Sequence, residues 1–186
     1  MVSGTMVKTD SKLVKEALKV LGKDNLALII HGSSFPAITG EDTGFGTYNS
    51  QAGHDLIAYA ENYFNAVQLG PNGKTKASDS SPYCGTIFSG NPLFIDLKQL
   101  TTKEWESILP LSVFEDVVKN NPNADKGKTA YSYVSKAHID ALKTAWANFK
   151  KTNKFNKEFE KFNKENDFLC TLFMTKMSIF SIFWDK

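Results

Sequence analysis

The run Ser80-Ser81-Pro82-Tyr83 sets an aromatic ring beside hydroxyls in a polar loop, and Gly90-Asn91-Pro92-Leu93-Phe94-Ile95-Asp96-Leu97 follows it. A ring of this kind stacks on the apolar face of a pyranose, while short polar side chains next to it hydrogen-bond the sugar hydroxyls. The same residues also suit an architectural loop in which Tyr83 only closes the turn, and residue types alone leave both open. Three other arrangements fail on spacing. Gly70-Pro71-Asn72-Gly73-Lys74-Thr75 imitates a phosphate-binding loop, but only Pro71 and Asn72 separate its glycines and no helix follows. Gly44-Phe45-Gly46 lacks the third glycine of a dinucleotide fingerprint, with Asn49 in that place. His31, His54 and His138 have no ligand spacing with one another or with Cys84 and Cys170, so no transition-metal site is expected.

These residues need elements to hold them. Leu26-Ala27-Leu28-Ile29-Ile30-His31 reads as a buried strand, followed by Gly32-Ser33-Ser34-Phe35-Pro36 and then Asp42-Thr43-Gly44-Phe45-Gly46-Thr47. Asn49 or Ser50 opens a helix with Leu56, Ile57, Ala60, Tyr63 and Phe64 on one face. Ala66–Leu69 is the second strand, and the helix between supplies the crossover that a parallel pair requires. Upstream, Asp10 or Ser11 caps a first helix carrying Leu13, Val14, Ala17, Leu18 and Leu21, which ends at Gly22. Downstream, Leu93–Leu97 reads as a short extended run. Thr101-x-x-Glu104 and Ser112-x-x-Glu115 read as capping boxes, each starting a short helix. A turn-rich linker at 120–128 precedes a helix from Tyr133 to Lys151 with Val134, Ala137, Ala141, Leu142, Ala145 and Phe149 inward. Phe155, Phe159 and Phe162 form one more stripe, expected to be core.

In chain order, the pieces are a strand, an H-x-x-S-x-P loop, a G-x-G turn, a helix, a strand ending Q-L-G-P, then S-P-Y and G-N-P-L-x-I-D-L. This sequence resembles the 4-alpha-glucanotransferases, also called amylomaltases or disproportionating enzymes. The likeness is carried by Leu26–Leu97, and the helical region out to about residue 165 is compatible with it. The resemblance implies an α/β fold, the N-terminal portion of a (β/α)₈ (TIM) barrel with helical insertions, incomplete. Residues 1–25 would be a helical leader and 26–186 a partial barrel truncated at its C-terminus. It also implies transfer of alpha-1,4-glucan segments between maltooligosaccharides by a retaining double displacement. That chemistry needs a carboxylate nucleophile and a carboxyl acid/base roughly 5–5.5 Å apart, and because it runs on carboxylates alone the resemblance implies no cofactor and no metal.

In the family those carboxylates belong to later strands, so no catalytic residue is expected in this chain. A typical barrel takes about 250 residues, against 186 here. The family's nucleophile stands in an R-x-D pattern, and all 22 basic residues of this chain are lysine. Lysine is a poor substitute, because its ammonium lacks arginine's planar fork. The resemblance implies substrate contact by Tyr83, with Ser81 and Pro82 shaping its loop, and by His31, because the family has a histidine where the first strand ends. His31 suits equally well a hydrogen bond to the neighbouring loop. Asp96 belongs to the N-P-L-x-I-D-L framework and is not expected in the chemistry. Two alternatives stand beside the transferase reading: a non-catalytic glucan-binding remnant and a non-functional truncated product.

Composition narrows the partners. A net charge of +2 without arginine gives no case for nucleic acid. The lysines of 150–164 alternate with Glu158 and Glu160 and read as a solvated helix face. Phe168 to Trp184 is strongly apolar, but Lys176 interrupts it and its runs are too short to span a bilayer, so no membrane partner is expected. That stretch reads as buried helix or strand. Cys84 and Cys170 make no disulfide framework, and Met1–Asp10 lacks the apolar core of a signal peptide, so a cytoplasmic protein is expected.

Overall fold

The computed structural model describes residues 11–75, 81–84, 90–124, 126–152 and 154–166. Among them the chain runs α1 (Ser11–Val20), β1 (Ala27–Ile30), α2 (Gln51–Ala60), β2 (Ala66–Leu69), α3 (Leu111–Lys119), α4 (Tyr131–Phe149) and α5 (Asn156–Glu165). The expectations for Met1–Asp10, Ser80, Cys170 and Phe168–Trp184 lie outside the described residues.

The two strands pair in parallel, from Ala27 opposite Ala66 to Ile30 opposite Leu69. Asn65 fixes this register where the pair begins. Its side-chain oxygen accepts the Leu26 N–H at 3.0 Å, its amide donates to the Asp24 carbonyl at 2.9 Å, and its own N–H donates to the Leu26 carbonyl at 3.1 Å. The crossover helix α2 starts at Ser50, whose hydroxyl oxygen accepts the Gly53 N–H at 3.1 Å and so satisfies a donor that no helical carbonyl can reach. The strand expected over Leu26–His31 is shorter and less covered than its composition suggests. His31 lies beyond its end, and Ile29 is 72% exposed. An apolar run signals burial on both faces only when further layers cover it; among the described residues the sheet has two strands.

Downstream of the sheet the backbone departs from the sequence reading at two further places. Pro92–Phe94 is a single 3₁₀ turn rather than an extended run, because the Asn91 side chain accepts the Leu93 N–H at 3.1 Å. Neither expected capping box forms. Thr102 precedes the short turn Lys103–Trp105 without a side-chain cap, and α3 starts after Pro110, leaving Ser112 inside its first turn. Proline presets the backbone at a helix start without needing a cap, which outcompetes the weaker serine signal.

Burial concentrates around α4. Leu97, Leu100, Ile108, Leu109, Phe114 and Val117 pack against Ala141 and Ala145. Phe45, Leu93 and Phe94 close on Val134, one turn-pair nearer the start of the same helix. Two polar bonds fix the helices to their surroundings: Tyr133 Oη donates to the Val117 carbonyl at 2.6 Å, and Asn148 Nδ2 to the Ile108 carbonyl at 2.9 Å. The phenylalanine stripe divides. Phe155 and Phe159 join Trp105, Trp146 and Phe149 in one aromatic cluster, whereas Phe162 is 58% exposed.

Candidate functional site

Parallel pairing brings the C-terminal ends of β1 and β2 side by side, so the residues just past them meet. His31 follows β1, and Gly70 follows β2. The two pack so closely that a Cβ on Gly70 would lie 2.3 Å from His31 Nδ1. Only glycine leaves room for the imidazole there. Tyr83 completes the corner, its ring edge-on to His31 with centroids 5.9 Å apart and planes at 87°, the T-shaped arrangement that aromatic quadrupoles favour. The phenol is 75% exposed. Tyr83 thus stands beside His31 at the strand ends with most of its surface exposed.

The loop carrying His31 is anchored from behind. Gly32–Ser34 forms a 3₁₀ turn lying against Phe94. The Ser33 hydroxyl is 2.9 Å from Tyr131 Oη, and Thr129 Oγ1 donates to the Ser33 carbonyl at 3.1 Å. These bonds join the strand end to the start of α4 and set the direction from which His31 approaches Gly70. Tyr83 sits in a second short turn, Pro82–Cys84, where the Ser81 carbonyl accepts the Cys84 N–H at 3.1 Å. Of the four candidate residues, the structure thus brings His31 and Tyr83 into contact. It gives Ser81 and Pro82 places in the turn that carries Tyr83. Between β2 and that turn, Asn72 accepts the Asn91 N–H on its carbonyl at 3.0 Å, while its buried side-chain oxygen has no hydrogen-bond partner among the described residues.

Sequence reasoning missed Gly70, Asn72 and Tyr131. Gly70 reads as a turn glycine until the strands are paired, and Tyr131 is 98 residues from Ser33. It also missed a polar cluster under the Asp42–Thr47 loop. His138, 2% exposed, borders a cavity of about 20 Å³ together with Glu41, Thr43, Thr47, Asp96 and Lys98, room for about one water. Neither of its ring nitrogens makes a hydrogen bond of normal geometry. Burial pushes its pKa down from 6.5 to about 4, and the nearby Ile95 and Pro92 carbonyls draw it only partly back. Burial likewise holds the Asp96 carboxyl above the usual carboxylate range; the Lys98 N–H opposes that shift, and the charge of Glu41 adds to it.

Among the described residues no three His, Cys, Asp or Glu side chains gather where a metal could sit, and no helix is long and apolar enough to cross a membrane. No curated protein and no solved structure matches the chain. The family model described as 4-alpha-glucanotransferase (glycoside hydrolase family 77) matches residues 33–180. That span begins just after His31 and includes Ser81, Pro82, Tyr83, the N-P-L-x-I-D-L segment and all of α3, α4 and α5. A match over most of the 186 residues settles the relationship: this chain belongs to the 4-alpha-glucanotransferase family.

Proposed function

We propose that this chain is the N-terminal part of an alpha-1,4-glucan transferase, and that its His31–Tyr83 corner contacts maltooligosaccharide. The observation that carries this reading is the exposed Tyr83 ring held against His31 at the ends of two parallel strands, 5.9 Å between centroids. Functional groups of a (β/α)₈ barrel gather at the C-terminal ends of its strands. β1, α2 and β2 fit the first unit of such a barrel, and the half-covered strands fit a sheet designed to carry neighbours. In this reading Tyr83 stacks on a glucose ring, His31 donates to or accepts from a sugar hydroxyl, and the turn made by Ser81 and Pro82 sets the height of the phenol.

The reaction is a retaining glycosyl transfer, with a covalent glycosyl intermediate passed to a second sugar instead of water. Its nucleophile and acid/base come from later strands. The chain contains no arginine and therefore no R-x-D nucleophile pattern, so alone it binds glucan without turning it over. The same absence favours a second reading, a non-catalytic glucan-binding remnant.

Calorimetric titration of the full chain with maltotriose tests the corner. Millimolar binding, weakened at least tenfold by Tyr83→Ala, is the expected result; equal affinity in the variant would remove Tyr83 from the site. Chromatography of a maltotriose incubation tests the division of labour. New maltooligosaccharides formed by this chain alone would show that the catalytic carboxylates lie within it.

A further inference from the structure

A second concavity, of about 560 Å³, opens between the segment around Asp96 and the C-terminal half of α4. It shares no lining residue with the His31–Tyr83 corner. Part of its lining is aromatic. Trp146 stacks on Phe149 at 5.4 Å and 13°, and Trp105 stacks on Phe155 at 5.2 Å and 30°. Ring neighbours thus hold both indoles in place, yet Trp105 and Trp146 remain 36% and 47% exposed.

Ile95, Leu100, Ile108, Leu142 and Ala145 add an aliphatic floor, and the remaining lining is polar and fixed. Asp96 Oδ1 accepts the Lys98 N–H at 3.0 Å, Asn49 Nδ2 donates to the Phe94 carbonyl at 3.0 Å, and Gln99 Nε2 donates to the Asn49 carbonyl at 3.0 Å. These bonds orient the three side chains through one atom each and leave the Asn49 and Gln99 side-chain oxygens for a ligand. His54 lies on the same lining. A wholly apolar occupant would cover a carboxylate and two amides without replacing the water they bond, which is unfavourable. A sugar suits both halves of the lining, because a pyranose has an apolar face and a rim of hydroxyls. The volume lies within the roughly 300–1,000 Å³ of small-molecule sites.

We propose that this groove is a second carbohydrate site, in which a glucose unit of an α-glucan stacks on Trp146 or Trp105 and hydrogen-bonds Asp96, Asn49 and Gln99. The identity of the sugar rests on the family reading above; the existence of the groove does not.

The test is maltotriose titration of the full chain, followed by both tryptophan emission and calorimetry. Trp105 and Trp146 line the groove, and titrating in a Trp184→Phe background removes the third tryptophan, so that emission reports on these two indoles alone. A saturable emission change is expected that survives Tyr83→Ala. Gln99→Ala, at an exposed position where folding is not at stake, is expected to weaken it about fivefold, as loss of one hydrogen bond would. Trp146→Phe is expected to abolish most of the signal and to weaken the binding heat that Tyr83→Ala leaves. Binding heat that Tyr83→Ala removes, with no emission change in any variant, would overturn the groove while leaving the first site standing. An emission change unaffected by Gln99→Ala and Trp146→Phe would also overturn it. Silence in emission at saturating sugar would likewise overturn the proposal.

Discussion

Around His31 and Tyr83 the chain exposes rings and half-covered strands, whereas around α4 it buries Phe114, Leu109 and Val134 almost completely. The first region is held by directional bonds from Asn65, Ser33, Tyr131 and Thr129, the second by apolar contact. Directional bonds to partly solvated groups each contribute about 1 kcal/mol, while a fully buried large side chain contributes several. Stability is therefore concentrated in the helical body. The strand ends are positioned by it rather than supporting it, and they belong to the part of the molecule that opens first. A binding corner built on such ends gains accessible surface and depends on its bonds to α4 for its shape.

The sharpest way to break this comparison is to remove matched apolar groups from the two regions. Phe114→Ala is expected to cost about 3–5 kcal/mol, through lost burial and a cavity, and Ile29→Ala less than about 0.5 kcal/mol. Urea unfolding of both variants checks the pair, and similar losses would mean that the sheet is far better covered than its 72% exposed isoleucine indicates.

Acid is the next largest lever. His138 has a folded pKa of about 4 against an ordinary 6.5, so between these values the unfolded chain binds more protons. Stability is then full above about pH 6.5, falls as the pH drops through that window, and has lost about 3 kcal/mol below pH 4. Asp96 acts in the opposite sense: its raised pKa makes the neutral carboxyl favourable in the fold, which offsets part of the loss on acidification. The charged groups facing the shared cavity are Glu41, Asp96 and Lys98. His138→Leu removes two unpaired buried nitrogens at similar volume and should flatten the profile between pH 4 and 6.5 without a large loss at neutral pH. Denaturant midpoints measured across that range decide the matter; a wild-type profile that is already flat would mean that the imidazole finds a partner, such as a water in the cavity.

A smaller effect tests the joint between the two regions. A Cβ on Gly46 would lie 2.0 Å from the Phe35 carbonyl oxygen, a backbone atom that cannot swing aside. Gly46→Ala is expected to cost about 1–3 kcal/mol and to loosen the His31 loop, visible as faster amide exchange at Ser34 and Phe35. Unchanged exchange there would uncouple the loop from the Gly44–Gly46 turn.

The elements most legible in the sequence were those whose signals are local. β2 falls on Ala66–Leu69 as the apolar run predicts, and α2 starts at its Ser50 cap because the hydroxyl oxygen accepts the Gly53 N–H. α4 starts two residues earlier and ends two earlier than its periodicity placed it, an ordinary drift at helix ends. Competing neighbours and tertiary burial misled the rest. Pro110 displaced Ser112 as the start of α3, the Asn91 side chain turned an apolar run into a 3₁₀ turn, and His138 entered the core from a position that reads as neutral. In the site, Tyr83 and His31 could be found from motif order. Gly70 and Tyr131 could not, because their roles exist only after β1 pairs with β2 and α4 docks on the Ser33 loop. Asp96 was set aside as framework, and its side chain does brace the Lys98 turn, yet it also lines the groove beside Trp146.

The smallest expected change in stability carries the most information about the corner. Gly70 has no left-handed backbone angle, so alanine suits its conformation, and the atom in the way is the ring of an exposed histidine rather than backbone. Gly70→Ala should therefore cost less than about 1 kcal/mol, because the imidazole can rotate out. Once rotated, the ring leaves its T-shaped packing with Tyr83, and a pair interaction of about 0.5–1.5 kcal/mol is lost. The phenol then loses the neighbour that fixes it, and maltotriose affinity should fall several-fold although no sugar-contacting side chain has been removed. His31 ring resonances, followed by two-dimensional NMR with and without maltotriose, give the direct reading. Shifted His31 signals with weakened binding would show that the strand ends set the geometry of the site. Shifted signals with unchanged affinity would assign recognition to Tyr83 alone and reduce His31 to a filler of the space that Gly70 leaves open.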